Sequence, residues 1–303
     1  MAQSPDGAVR FALIGVPFDG GASLGWPGSR YGPEEIRRAL RWIHNRIEDG
    51  RIYSVELERT IAIPDDAITD AGDVNIVAHD VVETGRRVTD AVREALAGGR
   101  RPVVVGGDDS VTFPAIRALH DAVGGPIGLI HLDAHFDLLD YNERQGRFSH
   151  SSGIRRALEL DRLAPRHVIQ IGVRNFNFPS SAQFIRERGI AQISARRFHE
   201  MGPAAAAARA LSVVADTGAV FVALDMDALD AAHAPGAGAF EPGGLTAQQV
   251  LEFLRRVAPA THALCVVETN PLTDFRGMTA MVAAECVMHY VVASLAAGTT
   301  SRT

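Results

Sequence analysis

The stretch Ile127-Gly128-Leu129-Ile130-His131-Leu132-Asp133-Ala134-His135-Phe136-Asp137 decides how this chain is read. Its first six residues form a short apolar run after Gly124-Gly125-Pro126, the pattern of a buried parallel strand. Side chains two apart share a face of an extended backbone, so Asp133, His135 and Asp137 can converge where the strand ends. Open α/β sheets bind their ligands at that carboxyl edge. Unpaired charge buried there costs on the order of several kcal/mol, and a hard or borderline divalent cation would offset it. The plainer alternative is a solvated loop with an incidental histidine.

A second run, Ala219-Val220-Phe221-Val222-Ala223-Leu224, also ends in acids: Asp225-Met226-Asp227, then Asp230. Asp225 and Asp227 again share a face. Two strands from distant parts of the chain would thus gather four aspartates and a histidine, a charge that suits two metal ions. A helix-capping aspartate pair would account for one stretch but not for both.

Working outward, strand patterns alternate with helical ones. Residues 11–17, 102–105, 168–173 and 263–267 read as further strands, and 33–40, 80–96, 203–214, 246–257 and 278–295 as helices. Ser110 or Thr112 is expected to cap the helix through 119, and Thr246 with Gln249 makes a capping box. The glycine-rich loop 20–28 lacks both the dinucleotide spacing and a P-loop Gly-Lys-Ser/Thr. This alternation predicts one three-layer α/β/α domain over residues 1–303, its mainly parallel sheet covered on both faces, with 1–9 and 298–303 frayed.

Composition narrows the function. At 303 residues and 47% hydrophobic, the chain can bury a sizeable core. A net charge of -6 without a long basic run argues against nucleic acid. No stretch reaches the roughly 18 uninterrupted apolar residues of a membrane span. No signal peptide is evident, and Cys265 and Cys286 both lie in apolar surroundings. A cytoplasmic enzyme, with no membrane or nucleic-acid partner, is the expectation.

Together with Gly106-Gly107-Asp108-Asp109-Ser110, Gly238-Ala239-Phe240-Glu241-Pro242-Gly243-Gly244 and Glu268-Thr269-Asn270-Pro271, these stretches resemble the ureohydrolase family of arginase, agmatinase and their guanidino-acid relatives. The motifs run in register from about Phe11 to the last helix, and are closest in pattern to agmatinase and guanidino-acid hydrolases. The resemblance implies the arginase-like fold, a homotrimer or homohexamer, and two Mn²⁺ per subunit holding a water or hydroxide that attacks a guanidinium carbon and releases urea. It implies metal ligands at Asp109, Asp133, His135, Asp137, Asp225 and Asp227, with Asp133 and Asp225 bridging. Glu268 would hold the guanidinium, His150 would shuttle a proton, and Asp230 would orient a ligand. His79, His131 and His233 are expected to be structural. Substrate choice should lie in 138–148 and 174–179, where Asn142 and Arg147 are candidate substrate contacts. Arg144 or Arg147 could pair with a substrate carboxylate, or both could be solvated loop charges. Formimino-group hydrolysis releasing formamide, and a non-catalytic family member, are the alternatives; retention of Glu268 and His150 speaks against the latter.

Asp109 is the sharpest departure, since the family pattern reads Gly-Gly-Asp-His-Ser with that histidine on a metal. Five carboxylates would then face two divalent ions. The expected results are a less acidic bound water, an activity optimum displaced to alkaline pH and a preference for harder cations. If Asp109 turned away instead, one metal would remain.

Overall fold

The structure, a computed structural model, describes residues 9–22, 26–141 and 143–300. In chain order its elements are β1 (Phe11–Gly15), α1 (Gly32–His44), β2 (Arg51–Ser54), β3 (Arg59–Ala62), β4 (Ile68–Asp73), α2 (Val81–Ala97), β5 (Arg101–Val105), α3 (Thr112–Ala122) and β6 (Ile127–Leu132). There follow α4 (Gly153–Ala157), β7 (Val168–Ile171), α5 (Pro179–Arg188), β8 (Ala191–Ile193), α6 (Ala195–Val213), β9 (Ala219–Asp225), α7 (Ala247–Val257), β10 (Ala263–Val267) and α8 (Met278–Thr300). Eight strands form one parallel sheet in the order β4-β1-β5-β10-β9-β6-β7-β8, and β2 pairs with β3 as a separate antiparallel ribbon.

The inner strands are apolar on both faces because both are covered, as parallel sheets require. Phe11 and Leu13 pack with α1, α6, α7 and α8 on one side, while Ala12 and Ile14 pack with α2, α3, α4 and α5 on the other. Local chemistry sets the helix ends. Asp80 caps α2 by accepting from the N–H groups of Val82 and Glu83, and Thr246 and Gln249 form the capping box of α7. Neither Ser110 nor Thr112 caps α3. Asp108 does the work upstream, accepting from Ser110 N at 3.0 Å in a 3-10 turn that runs into the helix. Helix α6 starts at Ala195, capped by Ser194, and not at 203. Gly202 (φ 79) breaks it, and Pro203 opens the second segment, where a missing N–H costs little.

By length and composition, Met278–Gly298 could cross a membrane, but 67% of its most apolar window is buried inside the protein. It is a core helix, with Tyr290 meeting Phe11 edge-on at 6.1 Å between ring centres. Cys265 on β10 and Cys286 on α8 are buried and unbridged.

Register brings four strand ends together. Leu132 pairs with Leu224, Val267 with Asp225, and Val266 with Val105. The chain therefore leaves β5, β10, β9 and β6 at neighbouring points, carrying Asp109, Glu268, Asp225 and Asp133. Gly107 is indispensable at the first of these, because a Cβ there would lie 1.6 Å from the Phe18 carbonyl oxygen. Gly107→Ala should therefore cost about 2 kcal/mol or more in chemical denaturation and distort the turn bearing Asp109. Gly124→Ala, where a Cβ meets nothing within 4 Å, should leave stability unchanged in the same measurement.

Candidate active site

Three aspartates at these strand ends fold the chain back in one manner. Asp108, Asp133 and Asp225 each accept the backbone N–H two residues on, from Ser110, His135 and Asp227. Such Asx turns aim a carboxylate and shape the loop in a single interaction. Asp227 Oδ1 accepts from Ala134 N at 3.1 Å, tying the β9 turn to the β6 turn. Arg174 secures the same segment from outside by donating to the carbonyls of Asp227 (2.7 Å) and Glu241 (2.6 Å), among others. The sequence reading included Arg174 in the 174–179 segment assigned to substrate choice but not this anchoring role, since its partners are main-chain atoms that leave no side-chain pattern.

The structure brings all six expected metal ligands to one place. His135 Nδ1 lies 3.0 Å from Asp227 Oδ2 and 3.4 Å from Asp133 Oδ1. Asp109, His135, Asp137, Asp225, Asp227 and Glu268 line one cleft. Ligand atoms of Asp133, His135 and Asp227 lie within 4.8 Å of one another, as do those of His131, Asp133 and Asp137. His131 had been expected to be structural; its Nε2 is 3.0 Å from Asp133 Oδ2. The same two-residue period that picked out Asp133 and His135 reaches it.

A cation suits this arrangement. Both carboxylate oxygens of Asp109, and Oδ2 of Asp133, are buried without a well-formed hydrogen bond. Buried polar atoms left so are rare and costly. Carboxylates gathered about Asp133, with the imidazole of His135, suit a pair of divalent ions. Asp109 faces the acids and does not turn away. Burial, then the charge of Asp133, pushes Asp109 and Asp137 well above the usual carboxylate range. Burial and the charge of Asp227 do the same for Asp225. Burial also acts on Asp133, yet His131 and His135 hold it well below that range. Asp137 (φ 50) and Glu268 (φ 61) adopt left-handed backbone, a strain of about 1–3 kcal/mol each that proteins concentrate at functional positions.

Glu268 is buried and held on both oxygens, accepting from Asp109 N at 3.0 Å and from Ser29 Oγ at 3.1 Å. His150 Nδ1 stands 3.7 Å from its Oε1, and Gln145 Nε2 lies 2.9 Å from His150 Nε2. Arg147 is elsewhere: it pairs with Asp140 at 3.2 Å and Glu159 at 2.8 Å, and buried Arg156 binds the same two acids. Asn142 lies outside the described residues. Asp230 accepts from the N–H groups of Ala232, Gly243 and Gly244, and so pins the loop beside Leu245. The cleft walls include Phe136, Leu138, Leu139 and Phe178, with Asn177 and Ser181 as polar groups.

Residues 9–293 match the model of the arginase family. The chain is 36% identical to a guanidinopropionase of Pseudomonas aeruginosa, over 91% of this chain and 84% of that protein. It is 32% identical to a mitochondrial agmatinase of Gallus gallus, over 90% and 77% respectively. Among solved structures, formimidoylglutamase from Bacillus subtilis superposes with a TM-score of 0.84 at 28% identity, covering 97% of this chain and 90% of that one.

Two outcomes follow from this geometry. Asp109→His removes one negative charge and adds an imidazole, so competition dialysis should show preference moving from Mn²⁺ towards Zn²⁺ and Co²⁺. For His150, burial lowers the pKa, but Glu268 and Asp108 outweigh it and the net shift is upward. A raised native pKa contributes stability that is whole below the unfolded value and fades as pH rises through the native one. Denaturation of the metal-free protein should therefore show wild type ahead of His150→Asn at pH 6 and the gap closing by pH 9.

Proposed function

This chain belongs to the arginase family and is a hydrolase of carbon–nitrogen bonds in linear amidino compounds, and from that premise we propose that it releases urea from agmatine or from a guanidino acid such as guanidinobutyrate. The observation that carries this reading is Glu268, a buried carboxylate fixed at a strained strand end among the acids, with His150 beside it. A planar guanidinium offers paired N–H groups that a carboxylate binds in charge-assisted fashion.

Asp109, Asp133, His135, Asp137, Asp225 and Asp227 would hold two Mn²⁺, whose charge lets water ionise near neutrality. Glu268 orients the guanidinium so that its carbon faces these residues. Water oxygen joins that carbon, the bond from carbon to the tail nitrogen breaks, and the departing amine takes up a proton. His150 is placed to supply it, since Glu268 and Asp108 favour its charged form against the effect of burial.

No arginine is among the described residues lining the cleft, and Arg147 is committed to Asp140 and Glu159. Apolar walls without an arginine favour the tail of agmatine over a carboxylate. Two buried, unbridged cysteines are in keeping with work in the cytoplasm. A homotrimer or homohexamer is the assembly we infer from the family resemblance. The likeness to formimidoylglutamase supports a second reading, hydrolysis of a formimino group with release of formamide.

Assay of the Mn²⁺-loaded protein on agmatine, arginine, guanidinobutyrate, guanidinopropionate and guanidine should give most urea from agmatine. Urea from none of them, with formamide released from a formimino compound, would replace this reading with the second. His150→Asn should lower kcat by about 100-fold or more with little change in KM. Arg147→Ala should alter kcat/KM for agmatine and guanidinobutyrate by the same small factor, whereas a selective rise in KM for the acid would bring Arg147 to the substrate.

A further inference from the structure

Gln192, Gln170 and His131 lie side by side across β8, β7 and β6, for the register pairs His131 with Gln170 and Gln170 with Gln192. Their neighbours along these strands are mostly valine, leucine and isoleucine, and both Gln170 and His131 are wholly buried. A polar row through an apolar sheet is costly unless each member is satisfied.

Its hydrogen bonds have a direction. Gln192 Nε2 donates to Gln170 Oε1 at 3.3 Å, and Gln170 Nε2 donates to the Phe136 carbonyl at 2.7 Å. A carbonyl can only accept, so the amide nitrogen of Gln170 is fixed on that side. It also lies 3.2 Å from His131 Nδ1, which must then accept. A neutral imidazole that accepts at Nδ1 carries its proton on Nε2. That atom stands 3.0 Å from Asp133 Oδ2 and 3.8 Å from Asp137 Oδ2, off the straight line of a hydrogen bond to either.

We propose that His131 is a positioning residue of the metal site: Gln170 locks it in one tautomer, and its Nε2–H addresses the space between Asp133 and Asp137, offsetting the additional carboxylate that Asp109 brings. Direct ligation would need a lone pair on Nε2, which the row denies. The proposal rests on these acids holding metal, and is independent of which guanidino compound is cleaved.

Calorimetric titration of the metal-free protein with Mn²⁺, without substrate, tests it. His131→Leu should still bind two Mn²⁺ per chain, but about 10- to 100-fold more weakly. His131→Gln, which keeps an N–H donor, should recover part of that loss. Gln170→Leu, which frees the tautomer, should weaken binding in the same direction by less, and carries the test if His131→Leu does not fold. In turnover, His131→Leu should lower kcat with KM nearly unchanged. Unaltered Mn²⁺ affinity in both leucine variants would overturn the proposal and leave His131 a packing residue. Loss of one Mn²⁺ from His131→Leu, with no recovery in His131→Gln and no change in Gln170→Leu, would overturn it in favour of direct ligation. Because the titration contains no substrate, failure of the guanidino reading would appear in the urea assay and not here.

Discussion

Asp108, Asp109, Asp133, Asp137, Asp225, Asp227 and Glu268 are all buried at the ends of four adjoining strands, and like charges in so poorly polarisable a place repel strongly. Protonation is one escape, and the upward pKa shifts of Asp109, Asp137 and Asp225 describe a cluster that takes it when no cation is at hand. A pair of divalent ions is the other. The neighbouring loops, caps and glycines can be understood as the means of holding these acids against their mutual repulsion.

That holding is done mainly by backbone. Three aspartates are steered by the N–H two residues ahead of them, Asp227 by Ala134, and Glu268 by Asp109 N and Ser29. Among the described residues Arg174 pairs with no carboxylate and directs its guanidinium to main-chain carbonyls. Peptide dipoles attached to a rigid sheet move less than long side chains do, so acids steered by them are held in fixed relative positions. Left-handed backbone at Asp137 and Glu268 belongs to the same economy: the surrounding structure absorbs a local strain so that two carboxylates point inward.

How much of this was legible in the sequence depended on whether a feature is local. Asp133, His135, Asp137, Asp225 and Asp227 could be located because apolar runs stop at them and a period of two decides the face. Residues 263–267 and the Thr246 capping box were recovered for the same reason, since their signals lie within a few residues. The place of His131 beside Asp133 was not legible because it sits inside an apolar run, where its hydrogen-bond partner, Gln170, comes from another strand. Arg147 was legible as a cation near the site but not as a partner of Asp140 and Glu159, a matter of side-chain direction. The start of α6 was lost because Gly202 and Pro203 read as a beginning when they mark an interior break. Short, half-exposed β2, β3 and β8 carry too little pattern to stand out.

Strand order has a consequence for how the protein is made. β10 lies between β5 and β9, although it follows both of them in the chain. Until residues 263–267 arrive, the nascent chain holds two partial sheets, β4-β1-β5 and β9-β6-β7-β8, each with an open edge able to pair with another chain. Asp109 belongs to the first part, Asp133 and Asp225 to the second, and Glu268 to the strand that unites them. The active site therefore cannot assemble before residues 263–268 are made, and a chain that stopped short of them would carry two open-edged part-sheets with no complete centre between them.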